Sequence, residues 1–166
     1  MEEYIDLYDK NMQKTDRIIS RLKEKELPED MHILVSALII KNYAGKIMLQ
    51  LTSKEKGNIY SLPSGHVLHG ESSREAIVRE IYEEQGIVIL KDDIMFVERR
   101  LANRIAIFDI YYIEGEYKKE EMKLQKEEVA DVIWFTIDEI DDLYNKKRIR
   151  KSSYVSIKNF LNAKLF

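Results

Sequence analysis

The chain has 166 residues, 45% of them hydrophobic and 34% charged, which suits one globular domain with one sizeable core and excludes a disordered chain. Its net charge of -3 offers no global field for nucleic acid or an anionic membrane surface. With no cysteine, it has no disulfide framework, thiolate metal site or cysteine nucleophile.

Residues 1–30 read as a hairpin-like N-terminal extension and a candidate homodimer interface. They begin MEEYIDLYDK, acidic where a secretory signal would be basic and then apolar. The longest apolar stretch, ILVSALII, is far too short to span a bilayer, so the reading is cytoplasmic, with no membrane partner. YIDLY (4–8) alternates like an edge strand, and DKNMQKTD (9–16) is a turn. RIISRLKEKEL (17–27) suits either a returning strand or a short helix.

HILVSALIIK (32–41) is a buried strand, NYAG a turn and KIMLQLT (46–52) its return partner. SKEKGNIYSLPSG (53–65) reads as a loop. A helix follows, opened by a capping box of Ser72 with Glu75 and closed by Gly86. IVIL (87–90), IMFVERRL (94–101), RIAIFDIYYIEG (104–115) and DVIWFT (131–136) read as strands, and residues 116–129 as a charged loop. Thr136 with Glu139 caps a second helix. Residues 152–166 form a C-terminal helix expected to bury Val155, Phe160 and Leu161. Strands interleaved with helices predict a single α/β layered domain over 1–166.

The stretch GESSREAIVREIYEEQG (70–86) crowds Glu71, Glu75, Glu80, Glu83 and Glu84 together, although like charges one helical turn apart repel. On a wheel of about 100° per residue, Glu83 and Glu84 lie roughly 60° and 40° to either side of Glu80. Ile77, Val78, Ile81 and Tyr82 fill an adjoining arc for packing on a sheet. Ala76, one turn before Glu80, leaves the acidic face open. A solvated face would mix signs, yet no Lys occurs between residues 57 and 90. Converging carboxylates suit a hard divalent cation, which favours oxygen ligands and offsets their repulsion.

These residues resemble the Nudix (MutT-like) hydrolases. Gly65, five residues, Glu71, seven residues, then Arg79-Glu80-Ile81-Tyr82-Glu83-Glu84-Gln85-Gly86-Ile87 fill every constrained position of that family's motif. The resemblance implies an α/β/α sandwich around a mixed central sheet, with the motif as a catalytic loop-helix-loop. It implies Mg²⁺- or Mn²⁺-dependent hydrolysis of a nucleoside diphosphate linked to another group. Glu80, Glu83, Glu84 and the Ser64 carbonyl would ligate metal, Glu71 would act from the outer shell, and Arg79 would orient the acids. A general base is expected from the loop before Trp134, among Glu120, Glu121, Glu127 and Glu128, with Glu128 best placed.

Residues 4–50 also resemble the start of the isopentenyl-diphosphate isomerase branch of the superfamily. His32 and His66 fall at matching places, but Ser64 stands where those isomerases carry a catalytic Cys. That argues for an isomerase-like subgroup of hydrolases and against isomerase activity; a non-catalytic nucleotide sensor is the other alternative. The intact acids argue against that sensor. Thr52 stands near an expected Arg, and Tyr60 replaces an expected Trp. Tyr60 and His66 are the candidate substrate contacts, His69 a loop-stabilising residue and His32 structural. KKRIRK (146–151) reads as a solvated helix end with a polyphosphate grip as its alternative, and a nucleic-acid partner is disfavoured.

Overall fold

The apolar runs become strands because alternate side chains find cores on opposite sides of one sheet. The computed structural model describes residues 1–163. In chain order the strands are β1 (Tyr4–Tyr8), β2 (Lys14–Ser20), β3 (Ile33–Lys41), β4 (Ile47–Thr52), β5 (Tyr60–Ser61) and β6 (Ser64–His66). Helix α1 (Ser73–Gln85) precedes β7 (Met95–Leu101), β8 (Ala106–Glu114) and β9 (Val129–Phe135), and α2 (Ile137–Asn145) and α3 (Lys151–Asn162) end the fold. The sheet is mixed, in the order β5-β4-β3-β8-β7, with β6 also on β3 and β9 also on β4.

On one face, Leu38, Ile40, Met48 and Tyr111 pack against Ile77 and Ile81 of α1. On the other, Ala37, Ile39, Leu49 and Ile110 meet Ile140 of α2 and Ile157 and Phe160 of α3. The layers are those of an α/β/α sandwich. The N-terminal β1–β2 hairpin is a separate antiparallel pair, docked by bridges from Ile5 to Leu68 and from Tyr8 to His32. Arg99 adds a bidentate pair to the buried Asp109, at 2.7 and 2.8 Å, and donates to the Met12 carbonyl.

Several expectations need correction. β3 and β4 pair only at Lys41 and Ile47, then part; β6 takes over on β3, and β5 and β9 on β4. The expected hairpin is therefore splayed, and the loop of 53–65 contains two short strands filling the gap. Residues 87–90 form no strand. They run extended, with Ile87 and Ile89 buried and Val88 and Leu90 exposed, because core contact replaces a ladder partner. Residues 17–27 satisfy both alternatives, continuing β2 to Ser20 and then turning as a 3-10 helix over Arg21–Glu26. Tyr82 points outward at 59% exposure rather than onto the sheet. Val155 lines a cleft, and Ile157 occupies the core in its place. Of the expected 152–166 helix, residues 164–166 lie outside the described ones.

Both predicted capping boxes form, at Ser72 with Glu75 and at Thr136 with Glu139. Gly86 closes α1 in the left-handed region at φ 71°, and a Cβ there would stand 3.0 Å from the Lys123 backbone nitrogen. Both constraints exclude a side chain. Gly86→Ala should lower the unfolding free energy by about 1–3 kcal/mol, read as a reduced urea midpoint at unchanged slope.

Candidate active site

Two acids of α1 and one of the loop before it converge on a single guanidinium. Arg79 donates through Nε and Nη2 to the two oxygens of Glu71, at 3.1 and 2.7 Å. Its Nη1 reaches Glu80 at 2.9 Å and Glu83 at 3.3 Å, and Nη2 also donates to the His66 carbonyl at 3.1 Å. Glu71 accepts as well from the Leu68 backbone N–H at 2.8 Å, so the loop and the helix are locked together.

Glu80 is buried directly beneath Gly65. A Cβ on Gly65 would lie 2.2 Å from the Glu80 Cδ, so only glycine lets the loop backbone close over that carboxylate. Burial raises the Glu80 pKa against the opposing pull of Arg79. Among the described residues, Glu84 lacks such a partner. Burial first, then the charges of Glu80 and Glu128, push it up to about 8.

Gln50 bonds to Glu84 and itself accepts from the wholly buried Gln85 amide at 2.9 Å. Two backbone bonds, Lys123 N–H to the Gln85 carbonyl and Gln125 N–H to that of Glu84, tie the loop of 116–129 to the end of α1. That loop delivers Glu128, whose carboxylate lies 3.5 Å from Lys56 Nζ.

Where β3 and β4 diverge, a cleft of about 1010 Å³ opens. Ser64, Gly65, Glu80, Glu84 and Glu128 line one part of it. Glu120, Glu121 and Glu127 do not line it, nor do Glu71 and Glu83; Glu83 is half-exposed and held by Arg79. As they stand, no three His, Asp or Glu side chains among the described residues are arranged to hold a metal ion. The geometry gives the reason, since Arg79 draws Glu80 and Glu83 to itself.

His66 lines the cleft, its Nε2 2.9 Å from Glu24 of the N-terminal 3-10 turn, and burial lowers its pKa. Tyr60 does not line it. Its ring packs edge-on against Phe135 at 5.1 Å, on the α2 side. His69 bonds Asp6 at 2.8 Å and joins the hairpin to the motif loop, and His32 lies 2.6 Å from the Arg104 carbonyl, a structural contact.

Sequence reasoning missed Gln50, Glu24, Arg21 and Arg100 of this cleft. For Gln50 a signal existed, as the one amide in a strand that is apolar from Ile47 to Leu51 around it.

The site is thus a mixed-sheet sandwich whose loop and helix present carboxylates to a cleft. The NUDIX domain pattern matches residues 31–160, and the chain belongs to the Nudix hydrolase family, whose enzymes act on diphosphate bonds. It is 32% identical over 149 residues to an uncharacterized Nudix hydrolase of Listeria monocytogenes, covering 86% of this chain and 85% of that one. It is 28% identical over 141 residues to the NAD-capped RNA hydrolase NudC of Mannheimia succiniciproducens, covering 79% of this chain and 51% of NudC. Among solved structures, DR0079 from Deinococcus radiodurans superposes with a TM-score of 0.79 at 16% identity, over 95% of this chain and 99% of that one.

Glu84 sets a pH dependence in the metal-free protein. Its folded pKa of about 8 lies above the ordinary 4.5, so between these values the folded state keeps a proton that the unfolded state has lost. Its contribution to stability is fully present below pH 4.5 and is lost as pH rises through about 8. Urea midpoints measured with chelator from pH 5 to 8 should fall more steeply for the wild type than for Glu84→Gln.

Proposed function

We infer that this chain is a Mg²⁺- or Mn²⁺-dependent pyrophosphohydrolase acting on a nucleoside diphosphate linked to another moiety. The reading takes 1–166 as one domain, with 1–30 as an extension that packs on the motif loop. The observation that carries it is Glu84, a carboxylate buried beside Glu80 and Glu128 and, among the described residues, left without a cationic partner. Repulsion of this kind is relieved by a hard divalent cation, and the donors on offer are all oxygens. In donor chemistry, though not in their present arrangement around Arg79, the residues therefore fit such an ion. Glu80, Glu83, Glu84 and the Ser64 carbonyl would hold it, and Glu71 would act through Arg79.

The ion, when bound, neutralises the diphosphate and lowers the pKa of water. The chain's residues do the rest. Gly65 and Arg79 fix the Glu80 carboxylate, and the Gln85–Gln50 pair fixes Glu84. Glu128 takes the proton of the attacking water. The water oxygen bonds to one phosphorus, the bridging P–O bond breaks, and the departing phosphoryl oxygen carries the electron pair away. The isomerase-like subgroup remains part of this proposal. Ser64 offers no thiol, and incubation with isopentenyl diphosphate should yield no dimethylallyl diphosphate.

A panel of nucleoside diphosphate derivatives with Mg²⁺ or Mn²⁺, scored for monophosphate products, tests the reading. At least one should be cleaved, and Glu83→Gln should lose about 10–100-fold in activity. Glu128→Gln should lose about 10²–10⁴-fold in kcat while Glu127→Gln stays near wild type. An inert panel, or a fully active Glu83→Gln, would remove the assignment. Gly65→Ala should cost activity on the same scale as Glu83→Gln, because the new Cβ displaces the Glu80 carboxylate.

A further inference from the structure

The loop between β4 and β5, residues 53–59, is built against the segment that delivers Glu128. The Ser53 backbone N–H donates to the Glu128 carbonyl at 3.0 Å, and the Lys56 ammonium lies 3.5 Å from the Glu128 carboxylate. The loop is also closed on itself. The N–H groups of Lys56 and Asn58 both return to the Ser53 carbonyl, at 3.1 and 2.9 Å, and that of Ile59 donates to Thr52 Oγ at 3.0 Å. The Lys56 carbonyl in turn accepts from Thr52 Oγ at 3.3 Å and from Arg150 Nη2 at 3.2 Å. The root of the Lys56 side chain is therefore fixed from β4 and from the start of α3, while its ammonium is free to face an acid.

Glu128 needs such a hold. The charge of Glu128 acts on Glu84, and like charges repel in both directions. The Glu128 side chain is 34% exposed, so solvent is open to it. A glutamate repelled on one side and unconfined on the other turns outward, away from the acids. Lys56 supplies the opposing pull. Among the described residues Glu128 has no other ion pair, and Arg79 is already occupied by Glu71, Glu80 and Glu83. A half-exposed ion pair adds little to stability, so the use of this one lies in direction rather than in strength. Thr52, Lys56, Glu84, Glu128 and Arg150 all line the cleft.

We propose that Lys56 is a positioning residue for the proton acceptor of the reaction: its ammonium holds the Glu128 carboxylate in the cleft against the repulsion of Glu84. Lys56 acts through Glu128 and makes no contact with the reacting atoms. The role rests on the reading of Glu128 as the group that takes the proton of the attacking water. The pairing itself does not, and can be measured without metal or substrate. A direct grip of Lys56 on a substrate phosphate is a different use of the same charge. It would act on binding and would persist without the Glu128 carboxylate, so the two uses separate by experiment.

In the metal-free protein, the ¹³C resonance of the Glu128 side-chain carboxylate should move in Lys56→Met, a half-exposed position that leaves the core untouched. An unmoved resonance would overturn the pairing. In turnover of a diphosphate that the wild type cleaves, Lys56→Met should lower kcat at least about tenfold with KM within about twofold, the pattern of a misplaced reacting group. Lys56→Arg, which keeps the charge, should stay within about threefold of the wild type. On a Glu128→Gln background, Lys56→Met should cost about twofold or less in kcat, since no carboxylate is left to position. An equal loss on both backgrounds, or a raised KM at unchanged kcat, would overturn the positioning role. Lys56→Met as active as the wild type, beside an impaired Glu128→Gln, would sink this inference and leave Glu128 as the base. A fully active Glu128→Gln would remove both.

Discussion

The site depends on how one short helix tolerates its own acids. Glu80, Glu83 and Glu84 share a face of α1, and their mutual repulsion would weaken an isolated helix. Arg79 resolves part of it, using its planar fork on Glu71, Glu80 and Glu83 at once and on the His66 carbonyl besides. The guanidinium also binds the motif loop to the helix, so the charge balance and the loop geometry are one arrangement. Glu84 is left outside it, buried and, among the described residues, without a cationic partner. The helix is therefore neutralised on one side and poised on the other.

The cleft exists because β3 and β4 separate after a single pair. Had they zipped into a full hairpin, β6 could not pair with Val35, Ser36 and Ala37, and Gly65 could not close over Glu80. Each wall then comes from a different part of the chain. The N-terminal 3-10 turn brings Glu24 to His66, the 116–129 loop brings Glu128, and the start of α3 brings Arg150 and Lys151. Backbone bonds to Gln85 and Glu84 fix the Glu128 loop, which explains why the last turn of α1 and its closing glycine matter beyond capping.

Much of this was legible in one dimension. The buried strands, both capping boxes, the closing Gly86 and the shared face of three acids follow from periodicity and local backbone chemistry. Residues 87–90 were not, because an alternating apolar run is the same whether a ladder or a core receives it. Tyr60 and Tyr82 misled for a related reason: an aromatic ring carries no mark of which surface it will meet. KKRIRK shows the limit most clearly. Its Lys146 does sit at a helix end, paired with Asp142 at 2.8 Å, while Arg150 and Lys151, a few residues on, turn into the cleft.

By itself, the sequence determined the alternation of the strands, the helix termini and the motif whose acids define the family, since these depend on spacing along the chain. Tertiary structure alone decided that Arg79 gathers Glu71, Glu80 and Glu83, that Glu84 is buried among like charges, and that Lys56 pairs with Glu128. Those features join residues far apart in sequence, and charge, burial and distance in space take their values only when the sheet has brought such residues together.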